Sequence, residues 1–95
     1  MPDNYGQVQQ SRTTVASANT WTAVSIPIGS RFPLLASEDE TVTFRVSTDN
    51  TIATSEGTYI PASGAYSFEG TNTTELTVYV STSGACTMIL IYTRD

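Results

Sequence analysis

The chain has 95 residues, 39% of them hydrophobic and 14% charged, and nine carboxylates against four arginines give a formal charge of −5. That balance fits one folded domain rather than a disordered polyampholyte, and no stretch approaches the roughly 20 apolar residues of a membrane-spanning helix. The cations Arg12, Arg31, Arg45 and Arg94 are scattered singly, unlike the clustered basic surface that neutralises a phosphate backbone, so neither nucleic acid nor a membrane is expected as a partner.

Met1 to Gln10 mixes Gly, Asn and Gln with little apolar content and reads as an N-terminal arm, leaving 11–95 as the domain. It carries no basic region followed by an apolar segment, so cytoplasmic synthesis is the expectation. Thr13 to Ala16 predicts a first strand. After a turn at Asn19-Thr20, the run Thr20 to Ile28 alternates, with Val24, Ile26 and Ile28 on one side. Pro27 cannot donate to a ladder, so that strand should sit at an edge, carry a bulge or end there. Gly29-Ser30 breaks the chain. Arg31 to Ala36, with Phe32, Leu34 and Leu35 around Pro33, predicts a short strand with irregular pairing.

Beyond the acidic run Glu38-Asp39-Glu40, Thr41 to Ser47 has the clearest period of two, with Val42, Phe44 and Val46 on one face and Arg45 on the other. Thr48-Asp49-Asn50 supplies turn chemistry, and Thr51 to Thr54 is a weaker extended stretch. Thr58 to Ile60 and Ala65 to Glu69 predict short strands around the turn Pro61-Ala62-Ser63-Gly64. Glu75 to Ser81 turns Leu76, Val78 and Val80 inward, and Cys86 to Thr93 forms the last strand. About seven or eight short strands without helical periodicity predict an all-β fold, an antiparallel β-sandwich or jelly roll. The expected core is Trp21, Val24, Ile26, Phe32, Phe44, Val46, Phe68, Leu76, Val78, Val80, Met88 and Leu90. A core of that size leaves a thin stability margin and favours assembly with a neighbour.

The last strand shows where assembly would occur. Cys86, Met88, Leu90 and Tyr92 share one face, while Thr87, Ile89, Ile91 and Thr93 share the other. Both faces are apolar in the middle, and contiguous apolar surface marks a contact site. Burial of the outer face between subunits competes with its coverage by a loop or by the arm. Tyr79 and Arg45, which face away from the core residues of their own strands, would extend the same outer patch. The candidate interface is therefore Arg45, Tyr79, Ile89 and Ile91.

Chemistry has few candidates. Histidine and lysine are absent, and with them the usual bases that activate a serine, threonine or cysteine. Cys86 stands among Ala85, Thr87 and Met88 with no cationic neighbour, and reads as core filler rather than a nucleophile. Glu38-Asp39-Glu40 lacks the spaced ligands and fixed glycine of a calcium loop. No pairing of Glu69 with Glu75 is indicated that would serve glycoside hydrolysis. Asn72-Thr73-Thr74 matches a glycosylation acceptor, a match that has no use without secretion. No enzyme and no cofactor are expected. Trp21 and the tyrosines offer a carbohydrate-binding module as the chemical alternative, with Trp21 read first as a core plug.

Three segments carry a resemblance. Trp21-Thr22-Ala23-Val24-Ser25-Ile26-Pro27, then Thr43-Phe44-Arg45-Val46-Ser47-Thr48-Asp49-Asn50, then Tyr59-Ile60-Pro61-Ala62-Ser63-Gly64-Ala65-Tyr66-Ser67-Phe68, followed by a closing apolar strand, resemble small β-rich virion proteins of tailed bacteriophages, of the head decoration or cement type. The likeness covers most of Thr20 to Thr93 and carries over no individual binding residue. It implies a protein made in the host cytoplasm that sits on the outer capsid surface, bridges copies of the major capsid protein and forms a homo-oligomer, a dimer or trimer. A tail or fibre spacer is the structural alternative.

Overall fold

A computed structural model describes residues 7–68 and 76–94. These form eight strands: β1 (Gln7–Val15), β2 (Thr22–Ile26), β3 (Arg31–Ser37), β4 (Phe44–Ser47), β5 (Thr58–Ile60), β6 (Ala65–Ser67), β7 (Leu76–Thr82) and β8 (Cys86–Arg94). A single 3-10 turn covers Thr54–Glu56 between β4 and β5. The strands make two antiparallel four-stranded sheets, a first of order β1-β8-β3-β6 and a second of order β2-β7-β4-β5. Every connection except β4 to β5 crosses between the sheets, and this order is that of a jelly roll. The all-β expectation is met.

Alternation along the strands builds the core between the sheets. Val15, Leu35, Met88, Leu90 and Tyr92 come from the first sheet, and Val24, Ile26, Phe44, Val46, Ile60, Val78 and Val80 from the second. Tyr66, Phe68, Leu76 and Cys86 pack against this cluster while partly exposed. Tyr66 and Phe68 meet edge to face, with ring centroids 4.8 Å apart, an arrangement the ring quadrupoles favour.

Two prolines act as expected. β2 is an edge strand and ends at Ile26, just before Pro27. Around Pro33 the β3–β8 register slips by one residue, from Arg31 opposite Thr93 to Leu34 opposite Ile91, a bulge. The bulge corrects one predicted core residue: Phe32 takes φ +48° and is 69% exposed. It leaves Leu35 rather than Leu34 facing inward. Ile28 is also exposed, because Pro27 to Ser30 is a turn. Gly29 supplies the positive φ, +84°, that its third position requires, and Ser30 closes it onto the Pro27 carbonyl.

Other boundaries differ from expectation. Gln7 to Gln10, assigned to the arm, belong to β1, because antiparallel pairing with all nine residues of β8 outweighs their weak apolar signal. The rest of the arm, Met1 to Gly6, lies outside the described residues, as do Glu69, Glu75 and the Asn72-Thr73-Thr74 triplet. Thr54, placed in an extended stretch, opens the 3-10 turn.

Candidate docking face

Each sheet has an outer face, and the two are built differently. On the first sheet, Ile89 and Ile91 of β8 point outward, two residues apart. Leu34 and Ala36 of β3 stand directly opposite Ile91 and Ile89, while Gln10 and Arg12 of β1 stand opposite them on the other side. The result is a two-by-two apolar block whose four members are each partly buried, with Val8 further along β1 at 75% exposure. Arg12 and Glu38 flank β8 from either side and pair across it at 2.9 Å, which bounds the block at one end. Both partners are substantially exposed, so the ion pair orients more than it stabilises.

On the second sheet the outward residues are Ala23 and Ser25 of β2, Thr77, Tyr79 and Ser81 of β7, Arg45 and Ser47 of β4, and Tyr59 of β5. The connection between β4 and β5 folds back over this face. The Trp21 indole N–H donates to the Ile52 carbonyl at 2.9 Å, and Arg45 Nη1 donates to the Gly57 carbonyl at 2.9 Å. Gly57 lies flat against the indole: a Cβ there would stand 2.7 Å from Trp21 Cη2. Trp21 therefore fastens the covering loop instead of plugging the core, a correction to the expectation, and its ring is engaged rather than free to stack on a sugar. Ser81 shows the cover's effect, being 5% exposed although it faces outward.

The four candidate interface residues consequently separate. Ile89 and Ile91 lie together on the first sheet, whereas Arg45 and Tyr79 lie on the opposite side of the molecule. The one patch expected from alternation is two, because alternation fixes which side of its own sheet a residue faces and not which sheet its strand joins. Arg45 also sits with its guanidinium carbon 5.0 Å from the Tyr59 ring centroid. Leu34, Ala36 and Val8, which complete the open block, were not singled out from the sequence. The Pro33 bulge hides the phase of β3, and Val8 stands in a segment read as arm.

The acidic run is structured by local bonds. Ser37-Glu38-Asp39-Glu40-Thr41 and Ser47-Thr48-Asp49-Asn50-Thr51 form the same turn twice, after β3 and after β4. In each, the serine hydroxyl and aspartate backbone bond mutually, and the threonine amide and hydroxyl both donate to Oδ1 of the aspartate. These donors hold both carboxyls below the usual aspartate value: chiefly the backbone bond for Asp39, and the hydroxyl bond for Asp49. Cys86 is a free thiol, partly buried against the core.

The chain matches no family model, and no curated protein or solved structure resembles it significantly.

Proposed function

We propose that the chain is a virion surface protein of the head decoration type that docks through the outer face of its first sheet and bridges neighbouring copies of a major capsid protein. The observation that carries this reading is the apolar block of Leu34, Ala36, Ile89 and Ile91, which no described segment covers while the opposite face is covered by the chain's own loop. Three features support it. Jelly rolls recur in viral capsid proteins, an analogy at the level of fold. The resemblance of the Arg45-Val46-Ser47 and Ile60-Pro61-Ala62 segments to phage decoration proteins points the same way. The negative charge suits a position outside a shell that holds DNA, because it disfavours competition by the packaged polymer.

Many weak contacts on a repeating lattice give avidity that one site lacks. Self-association into a dimer or trimer has a route along β1, an edge strand of nine residues without proline or bulge. The test is cosedimentation with purified heads of the phage that encodes the chain. The wild type pellets with the shell in hundreds of copies per particle, and the Ile89→Ser/Ile91→Ser variant stays in the supernatant. A stoichiometry of a few copies would favour the tail or fibre reading, and no association with any particle would end the proposal.

A further inference from the structure

We infer that the cleft beside Arg45, on the covered side of the second sheet, binds one carboxylate-bearing sugar residue of the uronic acid class. It has a volume of about 140 Å³, is open to solvent on one side, and lies between Thr54-Ser55 of the covering loop and the ends of β4 and β7. This inference stands apart from the docking face and from capsid binding, since it concerns the other side of the molecule.

The lining is mostly polar. Asn19, Thr43, Thr54, Ser55 and Ser81 bring one amide and four hydroxyls to the residues around the cleft. Ser81 lines the cleft from β7. Although the residue is nineteen-twentieths buried, no buried side-chain polar atom among the described residues lacks a partner, so its hydroxyl is not an orphaned group. A ligand oxygen or nitrogen reaching into the cleft would meet it there.

Arg45 sets the charge. It is the one cation among the lining residues, which include no carboxylate. Its guanidinium is held in advance by the Gly57 carbonyl and the Tyr59 ring, and a fork of five donors retains N–H groups beyond the one spent on Gly57. A fixed guanidinium recognises a carboxylate well and loses little entropy in doing so. A single cation is sparse for a phosphate, while several neutral hydroxyls and an amide around it match the ring hydroxyls of a sugar. The volume limits the ligand to about one ring, and the open side lets a chain continue into solvent.

The test is titration of the 15N-labelled full chain, followed by amide shifts, with glucuronate, glucose and acetate in parallel. Glucuronate should produce saturable shifts at Arg45, Ser81 and Thr54 with a millimolar dissociation constant, glucose should bind at least tenfold more weakly, and acetate should give no saturable shift at Ser81. Ser81→Val, which replaces one lining hydroxyl by a bulkier apolar group, should weaken glucuronate more than tenfold while Trp21 fluorescence stays as in the wild type. No saturable shift at tens of millimolar glucuronate overturns the site. Equal binding of glucose removes the acidic class, and equal binding of acetate or an acidic peptide shows a carboxylate subsite for a protein partner instead.

Discussion

One sandwich carries two outer faces that meet solvent on different terms. The second sheet turns outward serines, a threonine, an alanine, Arg45 and two tyrosines, and then covers part of them with its own β4–β5 connection, fastened through Trp21 and Gly57. The first sheet turns outward Leu34, Ala36, Ile89 and Ile91 and receives no such cover among the described residues. The more apolar face is thus the one left open. A chain stable alone would place its loop over the isoleucines, where hydrophobic burial contributes about 25 cal/mol per Å². Leaving their outer side partly exposed fits the proposed docking, in which a partner supplies the cover.

The largest expected effect breaks this contrast directly. Replacing Ile89 and Ile91 by serine removes two central apolar contacts, and if each contributes about 2 kcal/mol as interface anchors do, attachment to the particle falls by well over a hundredfold. Tyr79→Ser, on the opposite sheet, should leave attachment unchanged. Equal losses for both variants would mean that the two faces are not distinct in function and that attachment tracks stability instead. Thermal melting of each variant separates those outcomes.

Next in size is the fastening of the covered face. Gly57→Ala brings a Cβ to 2.7 Å from Trp21 Cη2, 3.1 Å from Arg45 Cβ and 3.2 Å from the Val46 carbonyl, with backbone on one side and little room to yield. Overpacking of this kind costs about 1–3 kcal/mol, and each kcal/mol lowers the melting temperature of a domain this size by about 4–8 °C. Because Trp21 is the only tryptophan, its emission should shift to the red as the ring is pushed out. An unchanged spectrum and melting point would show that the loop does not press on the ring.

Trp21→Phe is gentler. The ring packing is largely kept, but the Ile52 carbonyl loses the indole N–H it accepts in a part-buried setting, a loss of about 1 kcal/mol. Hydrogen exchange across the loop is the measure, and protection should fall around Ile52 while the amides of β8 stay protected. A loss spread evenly over both sheets would mean that the cover and the core open together.

How far these features could be read from the chain follows from what alternation encodes. Period two in Val42-Thr43-Phe44-Arg45-Val46 and Leu76-Thr77-Val78-Tyr79-Val80 is legible because each strand has one face on a core, and Pro27 and Pro33 announced an edge and a bulge by lacking a donor. The outward direction of Ile89 and Ile91 was legible for the same reason. Their neighbours were not, because Leu34 and Ala36 reach them only through the β3–β8 register, which the Pro33 bulge displaces by one residue. Trp21 misled for a related reason. A large ring beside a strand reads as core by hydrophobicity alone, and its true seat depends on a glycine 36 positions away that leaves room for it. The cleft at Arg45 had no signal, being assembled from hydroxyls of four separate segments.

The smallest expected effect uses the twin turns, since Asp39 borders the open side through its neighbour Glu38 and Asp49 begins the connection that covers the other. Both carboxyls lie below the ordinary aspartate value because their charged forms accept two threonine donors each. A carboxyl depressed in the folded state contributes stability above its unfolded pKa, and that contribution is lost as pH falls through the folded value. Both aspartates are exposed, so the global effect is small and the readout must be local. Between neutral pH and pH 2, the Thr41 and Thr51 amides should each report loss of their bond. Trp21 emission should respond to the Asp49 titration alone, because only that turn leads into the cover. Asp49→Asn keeps an acceptor but cannot titrate, so it should abolish this acid response of Trp21, while Asp39→Asn should leave it as in the wild type. A Trp21 response that survives Asp49→Asn would place the control of the cover somewhere other than the turn that starts it.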